Sequence, residues 1–186
     1  MADTGATGAA RRDLQLAGQG AGGNGVAIRL APPAQRLSLR ARASAVAAVS
    51  APLGMALPIK PRGVAVAEGR HALRLGPDEW LVIDESGRDP LGDLVHATAV
   101  HSAVDVSHRN VAFLVSGERV EDVLSAGCPL DLAVRAFPTG TATRTVFGKI
   151  EVVLYRVGET EFRMECWRSF APYALDLLRA AARDVG

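Results

Sequence analysis

Two adjacent carboxylates, Asp78 and Glu79, sit in the stretch LGPDEWLVI, directly before a tryptophan flanked by apolar residues. Paired acids can divide the work of general acid and general base. The same residues also describe a hairpin tip, because Pro fixes the φ angle wanted at the second turn position and Asp bonds to its own local backbone. The motif alone allows both readings. A second candidate pair is Asp105 and His108 in VDVSHRN, a base with its orienter or a turn built from Asp, Ser and Asn.

Other reactive residues lack the spacing that their chemistry needs. His71, His96, His101 and His108 are not at the i, i+4 separation of a helical metal site, and neither Cys128 nor Cys166 belongs to a CxxC pair. Ser169 has no GxSxG elbow around it. Gly18, Gly20 and Gly23 satisfy GxGxxG, but LQLA before them is a poor strand and the prolines of NGVAIRLAPP bar a helix after them. Arg144 and Arg168 fall on or beside strand patterns, where a charge needs a partner. They, with Trp80, are the candidate structural or interface anchors. No nucleophile, base and electrophile converge, so catalytic, cofactor and metal residues are expected to be absent from this chain.

The elements that carry these residues repeat. In one half, Leu37–Arg40 reads as a strand, and Ser44 caps a helix with Val46, Val49 and Leu53 at helical spacing, stopped at Gly54. An extended piece at Val64–Val66, a hairpin over Ala72–Asp84 and a helix near Asp89–Thr98 follow. In the other half, Val111–Val115 is a strand and Ser116 opens a helix that ends at Gly127. Then come Thr141–Phe147, a second hairpin, and a last helix capped by Ser169 with an apolar stripe of Phe170, Tyr173, Ala174, Leu177, Leu178 and Ala181.

Within the second hairpin, Phe162, Met164 and Cys166 alternate with Glu161, Arg163 and Glu165, which predicts one buried and one wet face. The strand from Trp80 to Ile83 is apolar on both faces and must be covered twice, once by helices of the domain and once by a different protein. The fold class is α+β: two related strand-helix-strands-helix units, ferredoxin-like halves over about 36–100 and 101–184. They make one duplicated domain from residue 29 to 186, preceded by a disordered Gly/Ala-rich arm over 1–28.

Composition narrows the partners. The 186 residues carry a formal net charge of +1, with 22% charged and 5% aromatic residues, which gives no reason to expect nucleic acid or an anionic membrane. No apolar run reaches the roughly 18 residues of a membrane span, and the N-terminus lacks a signal-peptide core. The expected compartment is the cytoplasm, with both cysteines reduced.

Taken together, LGPDEWLVI, AVDVSHRNVAFLVSG, AGCPLDL, the run Phe137-Pro138-Thr139-Gly140, Thr143-Arg144-Thr145 and CWRSFAPYALDLL resemble the gamma subunits of heterotetrameric sarcosine oxidase, in order from about Leu37 to Ala182. His108 departs from the acidic or amide residue expected after DVS. The resemblance implies a fold like the folate-binding domain of glycine-cleavage aminomethyltransferases. It also implies a structural, non-catalytic role beside alpha, beta and delta subunits. In that family the complex demethylates sarcosine oxidatively to glycine, with tetrahydrofolate as one-carbon acceptor and hydrogen peroxide as product. FAD, FMN, NAD, tetrahydrofolate and zinc are then expected on the partner subunits. The alternative is a stand-alone folate-binding protein or aminomethyltransferase-like enzyme of the same fold, with Asp78 or Glu79 as the acid that holds the pterin.

Overall fold

A computed structural model of the chain describes residues 21–23 and 25–185. The first half runs β3 (Gln35–Ala41), α1 (Val46–Ser50), β4 (Val64–Ala67), β5 (Arg70–Gly76), β6 (Glu79–Asp84) and α2 (Pro90–Asp93). The second half runs β8 (Asn110–Gly117), α3 (Val120–Ser125), β9 (Ala142–Phe147), β10 (Ile150–Gly158), β11 (Glu161–Trp167) and α4 (Ala171–Asp184). Each half forms an antiparallel sheet of the same order, β4-β5-β6-β3 in one and β9-β10-β11-β8 in the other. The duplication extends to detail. Both hairpins shift register at the same place, between Arg74 and Gly76 and between Arg156 and Gly158.

The halves are also laced together. β7 (His101–Asp105), which leads into the second half, pairs with β3 of the first. β1 (Ala21–Gly23) and β2 (Val26–Leu30), which precede the first half, extend the sheet of the second beside β8. Neither sheet is complete without the chain segment that introduces the other. The expected arm over 1–28 therefore ends too late: Val26 and Ile28 are buried against the sheet, and their period-two alternation is a strand signal masked by the flanking glycines and prolines. Gly23 lies in β1, while residues 1–20, Gly18 and Gly20 among them, fall outside the described residues.

Three expected serine caps are replaced by other starts. Ser44 belongs to a 3-10 turn over Ala43–Ala45, and α1 begins behind Ala45 with no side-chain cap. Ser116 remains in β8, because that strand must continue to Gly117 to pair with both Val26 and Glu161. Gly117 has φ 133°, and a side chain there would strike the Gly25 carbonyl. Ser169 lies in a 3-10 turn, and α4 starts after Phe170 with a proline in its first turn. Of the helix expected near Asp89–Thr98, only Pro90–Asp93 is α-helical; Asp89 caps it by accepting from the Leu91 amide at 3.0 Å.

Helices cover the outer face of each sheet. α3 and α4 pack on Phe113, Phe162 and Met164; α1 packs on Leu39, Trp80 and Val82. The inner faces meet each other through Leu73, Leu81, Ile83, Val153 and Tyr155. The second cover of β6 is thus the chain's own other sheet, and not the separate protein expected from its two apolar faces. The physical requirement was read correctly, but duplication supplies the cover from within. Trp80 is 1% exposed, and its indole N–H donates to the Pro58 carbonyl at 2.9 Å. Trp80→Ala should lower unfolding free energy by about 3–5 kcal/mol in denaturant titration of the full chain, since it removes a buried ring and strands that carbonyl.

Candidate functional site

Asp78 and Glu79 do not form an acid pair. Pro77 and Asp78 make the tip between β5 and β6, and the Asp78 side chain is 52% exposed. Glu79 begins β6 and turns inward, where Arg144 of β9 holds it at 2.6 Å and Arg40 of β3 at 3.1 Å. The hydrogen bond from Arg144 is the main cause that keeps the Glu79 carboxyl below its ordinary range. A carboxylate fixed this way stays ionised at neutral pH and is a poor proton shuttle. Glu79 is instead a clamp between the two sheets, and Arg144 is its ion-pair partner within the chain.

Deeper between the sheets lies a chain of four charges. Arg36 of β3 donates to Glu165 of β11 at 2.7 and 3.2 Å. Arg163 donates to the same carboxylate at 2.8 Å, and its other end reaches Glu85, just beyond β6, at 2.5 Å. The links Arg36–Glu165 and Arg163–Glu85 cross from one sheet to the other. Arg36, Arg163 and Glu165 are all buried. This corrects the expectation that Glu161, Arg163 and Glu165 line a wet face: the opposing sheet covers Arg163 and Glu165, and their charges are neutralised in pairs. Only Glu161, near the hairpin tip, keeps substantial exposure. β3 carried no separate signal, because Arg36 shares a strand face with Ser38 and Arg40 and that strand too alternates like a half-wet one.

The remaining candidates resolve as structure. Asp105 accepts from the Ser107 amide at 2.7 Å, and the Ser107 hydroxyl accepts from the Arg36 amide at 2.8 Å, so VDVSHRN is a turn that buttresses the charge chain. His108 is exposed. Cys128 and Cys166 are free and buried, and burial, aided by Glu165, pushes the Cys166 thiol up to about 12, far from a reactive thiolate. Among the described residues no group of His, Cys, Asp and Glu could hold a metal ion. Arg168 is half-buried beside Trp167, and its backbone amide donates to the Arg109 carbonyl at 2.7 Å.

Two further buried arginines escaped the sequence reading. Arg70 pairs with Asp84 at 2.7 Å and donates to the Leu53 carbonyl, tying the hairpin to the turn that follows α1. Arg156 reaches Glu121 at 2.5 Å and lies 4.4 Å above the Phe162 ring.

A pterin does not fit these residues. The opening between the sheets at Ser38, Glu79, Asn110, Arg144 and Trp167 holds about 50 Å³, whereas small-molecule sites typically offer about 300–1,000 Å³. Its acids are already paired: Glu79 with Arg40 and Arg144, Glu165 with Arg36 and Arg163, and Glu151 with Arg144 at 3.6 Å. The cavity beside the Pro77 turn is larger, about 220 Å³, but it is lined by Arg62, Arg74 and Thr143 and offers no carboxylate to a pterin ring.

Comparison with known proteins agrees with this architecture. The sequence profile of the sarcosine oxidase, gamma subunit family matches residues 39–184. The chain is 36% identical over 146 residues to sarcosine oxidase subunit gamma of Arthrobacter sp., covering 76% of this chain and 72% of that protein. It superposes with a TM-score of 0.83 and 30% identity on a chain of the heterotetrameric sarcosine oxidase from Corynebacterium sp. U-96, solved in complex with pyrrole 2-carboxylate, over 91% of this chain and 89% of that one. It shares a fold, at TM-score 0.63 and 13% identity, with glycine cleavage system aminomethyltransferase T from Bartonella henselae, covering 86% of this chain and 49% of that one.

Two measurements test the interior. Glu165→Gln leaves Arg36 and Arg163 short of a buried counter-charge and should cost about 3–5 kcal/mol, whereas Glu161→Gln on the exposed tip should stay within about 0.5 kcal/mol. Burial holds the His71 imidazole below its ordinary 6.5, with Glu85 opposing and Arg163 assisting. As pH falls below about 6.5, the unfolded chain takes up the proton first, so stability drops until the folded pKa is passed. His71→Gln should flatten that part of a stability–pH profile measured by chemical denaturation.

Proposed function

The chain belongs to the sarcosine oxidase gamma subunit family, and we propose that it serves in such an assembly as a structural subunit without catalytic residues of its own. In this reading the heterotetramer converts sarcosine to glycine by oxidative demethylation, with tetrahydrofolate taking the one-carbon unit and hydrogen peroxide as product. The alpha, beta and delta partners carry FAD, FMN, NAD, tetrahydrofolate and zinc between them, and the complex works in the cytoplasm. In keeping with this, no helix among the described residues is long and apolar enough to cross a membrane.

The observation that carries the proposal is the filled interior. Where an enzyme of this duplicated fold would need an open cleft and a free acid, this chain places Glu79 between Arg40 and Arg144, and Glu165 between Arg36 and Arg163. What such a domain offers its partners is a rigid shape. Trp80, Arg144 and Arg168 act as anchors of that shape: Trp80 in the first half's core, Arg144 across the sheets, Arg168 at the junction of β11 and α4.

A tagged copy of the full chain, purified from its host, should bring down three other subunits in equal amount, together with a flavin spectrum. A colourless chain recovered alone would overturn the proposal. Within the reconstituted complex, Asp78→Asn combined with Glu79→Gln should leave kcat within about threefold of the parent. A loss of about a thousandfold or more, the scale of a missing general acid or base, would make them catalytic.

A further inference from the structure

One corner of the molecule presents aromatic rings and a cation that the fold itself does not use. β11 ends at Trp167, on the strand face that carries Arg163 and Glu165, and the indole is 43% exposed. Phe170, from the 3-10 turn that follows, stacks on it with ring centroids 5.8 Å apart and planes within 10°. The Arg109 guanidinium lies 5.3 Å from the same indole ring. The Arg168 amide donates to the Arg109 carbonyl at 2.7 Å, so the turn before β8 and the turn after β11 are latched together.

Arg109 differs from the arginines of the interior. Arg36, Arg70, Arg156 and Arg163 each meet a carboxylate at 2.5 to 2.7 Å. Arg109 meets an indole and, at 3.3 Å, the Asn110 amide oxygen, but no carboxylate among the described residues. A guanidinium beside an aromatic ring keeps its edge N–H groups available for a forked bond to a carboxylate. The rings are held by one another before any partner arrives, so little side-chain freedom remains to be lost on contact. Exposed Trp and Arg in a preset arrangement are the residue types that dominate binding energy at protein interfaces.

We propose that this corner docks another subunit of the assembly, and that the docking segment offers an Asp or Glu carboxylate to Arg109 and an apolar side chain to the Trp167–Phe170 stack. The proposal rests on the oxidase-subunit reading above and names one of its contact surfaces.

The test uses the tagged full chain co-expressed with the other subunits of its host's oxidase. Arg109→Glu and Trp167→Ala should each lower the recovered partner subunits by about tenfold or more, as loss of a dominant interface contact does. Arg109→Glu, on an exposed side chain, should keep the parent's thermal midpoint, and its result decides if Trp167→Ala lowers that midpoint. Arg109→Lys should still assemble. A water-soluble carbodiimide should then join the new amine at position 109 to a partner carboxylate: the reagent activates the acid, the amine displaces it as the urea, and an amide forms. Mass spectrometry reads the cross-linked peptide. Wild-type recovery by Arg109→Glu, or a cross-link confined to this chain's own acids, would overturn the proposal. If the unmodified chain recovers no other subunit at all, it is the oxidase-subunit reading that fails.

Discussion

The Glu165 carboxylate, shared between Arg36 on one sheet and Arg163 on its own strand, is the contact on which the rest of the structure turns. Buried charges are costly, and they persist only when geometry and counter-charge compensate for lost hydration. Here compensation needs both sheets: Arg36 arrives from β3, and Glu85 completes the set from the end of β6. Burial alone would weaken the Arg163 cation, yet Glu165 and Glu85 outweigh it and raise its pKa. A shift of one half against the other would part Arg36 from Glu165 and Arg163 from Glu85, leaving Arg36 buried without a counter-charge and only the Arg163–Glu165 pair of β11 intact.

Strand exchange adds a second lock. β2 is committed to the sheet of the second half before the first half begins, and β7 completes the first half's sheet before the second begins. Gly63 bridges Thr141, and the Ala142 amide donates to the Arg62 carbonyl at 2.9 Å, joining the sheets along another edge. Two units that look separable by sequence repeat thus share backbone hydrogen bonds, apolar contacts and ion pairs. A subunit whose proposed role is to hold a shape within a larger assembly benefits from such cooperative closure.

Much of this was legible in the residues. The duplicated order of elements, both hairpins, and the two-sided cover of Trp80–Ile83 follow from periodicity and turn chemistry, which are local properties. What escaped was long-range. Glu161, Arg163 and Glu165 have the alternation of an exposed face, and only the arrival of a second sheet, matched by Arg36 more than a hundred residues away, makes that face an interior. Val26 and Ile28 carried a strand signal too short to outweigh their glycine-rich surroundings. The serine caps failed for a related reason: Ser116 is a good helix start in isolation, but pairing with β2 and β11 keeps it in a strand. Glu79 was singled out as chemistry because its partners, Arg40 and Arg144, are distant in sequence and one belongs to the other half.

The central claim is that the paired sheets form one cooperative unit, closed by the charges between them. Native-state hydrogen exchange on the full chain, read by mass spectrometry as denaturant is raised below the unfolding transition, tests it most directly. If the claim holds, amides of β6 and β11 exchange only by global unfolding, with one shared free energy and one denaturant slope. Exchange of either sheet at a distinctly lower free energy while the other stays protected would show that the halves open independently, and would contradict it.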